Sequence, residues 1–193
     1  MRSFVKRALE LAAPQFWTDP CSSTGLHHPP EDQQRGGIII HTRKAVQVAL
    51  SLLRFLNRDG SGPDSHYGPK DTQDLRDNII AAVVLHDLYK NGDPWSKNTV
   101  PQHGLIAAER LERLAKEEFD YDDEDPRFDN WPEIFSLIRD HMGRWAQPKP
   151  DPMLAISMPT DDEIAPRLIV EAADYMASRK FLSFVANEIS LDD

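Results

Sequence analysis

The stretch "AAVVLHDLYKNGD", residues 81–93, closes an apolar run with a histidine and an aspartate side by side, His86 and Asp87. Read as a helix, it places His86 three and seven residues after Val83 and Ile79, and Asp87 three, four and seven after Val84, Val83 and Ile80. Both side chains therefore turn towards the apolar face. A carboxylate buried there without compensation costs on the order of several kcal/mol, because the ion loses its hydration and gains nothing in return. Something must neutralise Asp87. A nearby basic side chain would do so as a plain structural ion pair, and a metal ion would do so as a site.

Working outward from this helix, taken as Thr72 to Tyr89, the same 3.6-residue periodicity recurs and convincing two-residue alternation does not, so the expected class is all-α. A short helix is expected over residues 2–12. An amphipathic one runs from His41 to about Asn57, with Ala45, Val48, Ala49, Leu52, Leu53 and Leu56 on one side. Gln102 to Phe119 and Pro132 to about Met142 form two more, and Pro166 suits the first turn of a last long helix that continues through Asp174 towards Phe184. Between them, "PCSSTGLHHPPEDQQRGG" (20–37), "RDGSGPDSHYGPKD" (58–71) and "NGDPWSKNTVP" (91–101) are rich in turn residues and read as loops. "DYDDEDPRFDN" (120–130) is too charged to bury and reads as an exposed connection without the glycine and terminal glutamate of a calcium loop.

A chain of 193 residues is expected to form one domain over 1–193, large enough to bury a real core. No run approaches the ~18 apolar residues of a membrane span, and the charge-interspersed N-terminus lacks the apolar stretch of a secretory signal. One cysteine, Cys21, excludes an internal disulfide, so a reducing, cytoplasmic location is expected. A net charge of −10 disfavours attraction to a long nucleic-acid backbone and points to a small partner. P-loop and G-x-G-x-x-G motifs are missing.

Other helices repeat the placement that His86 and Asp87 show. His41 has Ala45 and Val48 at i+4 and i+7, and His103 has Ile106 and Ala107 at i+3 and i+4. His141 follows Ile134, Leu137 and Ile138 by seven, four and three residues, and Asp174 lies between Val170 and Ala177 on one helix side. Each alone is more often a satisfied core or cap residue. Four imidazoles and two carboxylates turned into one core can hardly satisfy one another, whereas divalent metal ions would satisfy them all.

The ordered series His41, His86-Asp87, His103, His141, Asp174 resembles the HD-domain superfamily of metal-dependent phosphohydrolases, in its two-metal H…HD…H…H…D form, over roughly residues 36–182. The resemblance implies a compact helical bundle of about six to seven helices. It also implies one metal held by His41, His86, Asp87 and Asp174, with Asp87 bridging to a second held by His103 and His141. Mn, Fe, Co, Ni, Mg and Zn all suit such ligands, and the residue types do not choose among them. Lys90 resembles the lysine at the same offset in the HD-GYP branch and is a candidate for the reaction itself, or else a favourable charge at a helix C-terminus. The GYP portion of that signature is absent.

Candidate substrate contacts follow from position. Arg144 would fork onto phosphate oxygens and Trp145 stack on a base. Arg179 and Lys180 lie five and six residues past Asp174, facing either the site or solvent. The expected activity is hydrolysis of a phosphate ester of a nucleotide or related small molecule through a metal-activated water. An HD-type nuclease on single-stranded nucleic acid and a non-catalytic nucleotide-binding regulatory module are the alternatives. His27, His28 and His66 read as surface residues, and Cys21 has no evident role. The apolar tail "FLSFVANEISL" (181–191) suits packing on the core or on a second copy in a homo-oligomer.

Overall fold

In the computed structural model, which describes residues 1–22, 24–59, 69–143 and 161–180, seven α-helices form among the described residues and no strand does. They are α1 (Arg2–Glu10), α2 (Pro14–Thr18), α3 (Gly37–Asp59), α4 (Pro69–Leu85), α5 (His103–Glu118), α6 (Trp131–Asp140) and α7 (Asp161–Ala177), with 3-10 turns at Pro30–Gln33 and Pro126–Phe128. The all-α expectation and the helix number of six to seven hold. Helix α3 packs along α7 and α4, α4 also meets α6, and α5 lies against α6. Ile79, Ala82, Leu53, Leu111, Ile134, Ile138 and Ala173 meet in one apolar core. At one margin Phe4 of α1 packs on Trp131, ring centroids 4.7 Å apart, and fastens the N-terminal helix to α6.

Several helix ends differ from expectation, each for a local reason. Pro14 holds Ala13 extended (φ −57°, ψ 145°), so the first helix stops at Glu10 and Pro14 begins a second. Helix α3 starts at Gly37 and not at His41, which puts His41 in its second turn. Residues 36–37 look like a loop end, yet Gly36 (φ +79°) makes the turn and Gly37 already belongs to the helix.

Helix α4 ends at Leu85 rather than Tyr89. The His86 Nδ1–H donates to the Val83 carbonyl at 2.7 Å, the acceptor that a continuing helix would give to the Asp87 N–H. Leu88 N–H to Leu85 O and Lys90 N–H to Asp87 O then close tight turns. Pro166 sits inside α7, five residues past its start, and not in its first turn; the helix ends at Ala177, and Phe184 lies outside the described residues. The acidic connection has one buried member, Tyr121, which stacks on Trp131 with 12° between the ring planes. No helix among the described residues is long and apolar enough to cross a membrane.

Candidate metal centre

Three of the four imidazoles are set by one local device. His86, just past α4, His103, at the first residue of α5, and His141, at the C-cap of α6, each donate Nδ1–H at 2.7 Å to the carbonyl three residues earlier, on Val83, Val100 and Ile138. That bond spends the Nδ1 proton and turns Nε2 inward, as a lone pair whenever the ring is neutral. His41 reaches the same place from α3, and Asp174 from α7. Gly104 permits the meeting of α5 with α6: a Cβ there would stand 2.7 Å from the Arg139 carbonyl and 3.2 Å from His141 Cε1.

The ring nitrogens converge. His103 Nε2 lies 3.1 Å from His141 Nε2, and His86 Nε2 lies 3.4 Å from His41 Nε2. Asp87 stands between the pairs: Oδ1 is 3.2 Å from His103 Nε2 and 3.9 Å from His141 Nε2, while Oδ2 is 3.4 Å from His86 Nε2 and 3.7 Å from His41 Nε2. Asp174 Oδ1 joins the second group, 2.9 Å from His41 Nε2 and 3.7 Å from His86 Nε2. All four rings and Asp87 are buried, and Asp174 is about a quarter exposed.

Two Nε2 lone pairs at 3.1 Å, with both protons spent on Nδ1, repel unless a cation lies between them. Ligand atoms about 2.1 Å from one ion stand about 3.0 Å apart at right angles and about 3.4 Å apart at tetrahedral angles, which is the spacing found here. Asp87 Oδ1 is buried without a hydrogen-bond partner, a further atom waiting for positive charge. Three sets among the described residues can therefore hold a metal ion, each lying within 4.8 Å: His41, His86 and Asp174; His86, Asp87 and His141; and, on the far side of the His41 ring, Cys21, His28 and His41.

No protein-family model, curated protein or solved structure matches the chain.

The electrostatics state the same need in another way. Burial works against charge on His86, yet Asp87 and Asp174 overcome it and lift its pKa to about 10, so positive charge is demanded at that Nε2. Burial, with His86 and His103 close by, drives His141 down to about 3. His41 is also lowered, chiefly by burial. Burial alone would raise Asp87, but Lys90 and His86 hold it well below the usual carboxylate range. His41 and His86 do the same for Asp174.

Lys90 lies on the turn after Asp87 with Nζ 2.5 Å from Asp87 Oδ2, almost fully buried, and the ion pair raises its pKa against the opposing effect of burial. A cavity of about 940 Å³ opens on the centre past Lys90, His103, His141 and Asp174. Arg179 lines it with its guanidinium 3.7 Å over the Tyr175 ring, and Leu168 and Met142 supply apolar wall. Lys180 is exposed and is not part of that lining. Arg144 and Trp145 lie outside the described residues.

Residues read as having no role also gather here. Cys21 is fully buried, its thiol pKa pushed up by burial, with Sγ 4.0 Å from His28 Nε2. His28 is mostly buried and not a plain surface residue; its Nδ1 is 3.3 Å from Asp32 Oδ2. Asp32 itself has no exposure and pairs with the equally buried Lys44 at 2.8 Å. His27 is exposed at the cavity edge, and His66 lies outside the described residues. Loop residues carry no periodicity, so the only signal for this group was Lys44, a lysine one turn after His41 on the apolar side of α3.

Proposed function

We propose that the chain is a metal-dependent phosphohydrolase of the HD type, acting on a phosphate ester of a nucleotide or a related small molecule. One observation carries the reading: four inward Nε2 atoms divide into two pairs on the two oxygens of Asp87. On this reading His41, His86, Asp87 and Asp174 hold one divalent ion, and Asp87, His103 and His141 hold another. Such ions neutralise phosphoryl oxygens and acidify a water, which is the help that phosphate-ester hydrolysis needs.

The remaining work falls to the chain. Lys90 keeps Asp87 ionised and oriented, and its ammonium adds positive charge at the cavity floor. Arg179, stacked on Tyr175, is placed to fork onto phosphate oxygens as they enter. Tyr175, nearly half exposed, offers a ring face to a base or other planar group. The net charge of −10 favours a small ester over a long nucleic acid, and the cavity volume of about 940 Å³ suits one.

Metal analysis together with a hydrolysis screen tests this. The purified chain should carry or bind about two divalent ions and release phosphate from at least one member of a panel of nucleotides and small phosphate esters. Asp87→Ala should abolish both properties. Turnover of single-stranded DNA alone would favour the nuclease alternative, and ion binding without turnover a regulatory module. An Asp87→Ala chain as active as the native one would overturn the proposal.

A further inference from the structure

His41 is the exception among the four imidazoles. Its Nδ1 is fully buried and has no hydrogen-bond partner, whereas the other three rings spend theirs on the carbonyl three residues back. His41 cannot copy them, because it lies inside α3, where the carbonyl at i−3, on Ile38, already accepts from Thr42 Oγ1 and belongs to the helix. Without a partner for Nδ1, the contact that decides the proton in the metal-free ring is Asp174 Oδ1, 2.9 Å from Nε2, so Nε2 is freed for an ion only if an acceptor takes the proton at Nδ1.

The chain brings the Asp32 carboxylate towards that nitrogen and fixes it from three sides, with Cys21 and His28 also within 4.8 Å of a His41 ring nitrogen. Asp32 Oδ2 lies 3.9 Å from His41 Nδ1, about 1 Å beyond hydrogen-bond length. Its other oxygen, Oδ1, takes a 2.8 Å bond from Lys44, one helical turn after His41, and Lys44 is in turn tied to Glu31 at 2.7 Å. His28 Nδ1 reaches Oδ2 at 3.3 Å, and the second lone pair of that oxygen is free for another donor.

The backbone is pressed in as well. The Asp32 carbonyl takes the Cys21 N–H at 2.8 Å, and a Cβ on Gly37 would stand 1.9 Å from the Asp32 oxygen, so this strap can lie on the first turn of α3 only because residue 37 is glycine. Burying a lysine and a carboxylate together roughly breaks even against an apolar pair. Stability is therefore a weak reason for the arrangement, and proximity to His41 is a better one.

We propose that Asp32 is a positioning residue for His41: its carboxylate accepts Nδ1–H and so presents Nε2 unprotonated to the metal centre. The inference rests on the metal-centre reading above. Partners of this kind change metal affinity by about 10–100-fold when removed.

The test uses the full chain with Zn²⁺, Mn²⁺ and Co²⁺. In the Zn²⁺-loaded native protein the His41 Nδ1–H should appear as a slowly exchanging low-field proton in ¹H–¹⁵N spectra. Asp32→Asn with Lys44→Met removes the carboxylate charge without stranding the lysine. It should fold, weaken Mn²⁺ binding by about 10–100-fold and shift or lose that proton. Should the double variant not fold, Asp32→Asn alone, in which Glu31 still holds Lys44, must give the same two changes.

A folded variant that loses thermal stability yet binds Mn²⁺ within twofold of the native chain would show Asp32 to be merely structural, leaving the metal reading intact. A sulfur-to-cobalt charge-transfer band in the Co²⁺ protein, lost in Cys21→Ser, would place an ion on the Nδ1 side with Cys21 and His28 and overturn the proposal. A native chain that binds none of the three ions would remove the metal reading and this inference together.

Discussion

Asp87 and Lys90 form a buried pair whose two members depend on each other unequally. Asp87 is also met by four imidazoles, while the contact that neutralises Lys90 is Asp87 Oδ2. Asp87→Ala should therefore destabilise the chelated chain by about 3–5 kcal/mol, the usual result of stranding a buried charge. Adding Lys90→Met should recover most of that loss without recovering ion binding. Urea unfolding with and without metal separates the two effects, and a double variant as unstable as the single one would contradict the account. At this scale the inward polar groups were legible in the sequence: His41, His86, Asp87, His103, His141 and Asp174 lie on the apolar sides of periodic segments. Asp32, Cys21 and His28 were not, because burial in a loop leaves no repeat to count.

Helix ends decide the site more than helix middles do. His86, His103 and His141 stand at the end of α4, the start of α5 and the end of α6, where a free carbonyl is available to an imidazole Nδ1. Gly104 lets two of these ends touch. Gly104→Ala puts a methyl against the Arg139 carbonyl at 2.7 Å, so the α5–α6 contact must open. An overpacking cost of about 1–3 kcal/mol is expected, with weaker ion binding because the 3.1 Å spacing of His103 and His141 widens. Thermal unfolding and ion titration of the variant check both, and an unchanged affinity would mean the helices adjust without moving the rings. The sequence showed where periodicity lay but misplaced several boundaries. The end of α4 depends on which donor takes the Val83 carbonyl, and a side chain that bonds its own backbone leaves the apolar pattern unaltered.

Across the whole molecule, the buried ionisable groups make the metal-free chain sensitive to pH in both directions. His141 has a folded pKa of about 3 against an ordinary 6.5, so acid is taken up by the unfolded chain first and stability falls as pH drops below 6.5. His41 acts in the same sense. Asp87 and Asp174, held below the carboxylate range, add stability that is lost at still lower pH. His86 acts oppositely: its folded pKa is about 10, so its contribution is full below 6.5 and is lost as pH rises through 10. The urea midpoint of chelated protein should thus peak near pH 6.5 and fall on either side. Saturating Mn²⁺ or Zn²⁺ should remove the alkaline fall, since the ion replaces the His86 proton, and should add about 2.7 kcal/mol at a hundredfold excess over Kd. An alkaline limb unmoved by metal would speak against ligation by His86. The sequence by itself determined the all-α class, most of the helical segments and the identity of six inward polar groups, because periodicity and residue chemistry are local properties. Only the tertiary structure decided that these groups meet, that Asp87 divides them by its two oxygens, and that the loop bearing Cys21, His28 and Asp32 lies against His41. Those are distances between segments far apart in the chain, set by helix packing and by two glycines that let backbones approach more closely than any side chain would permit.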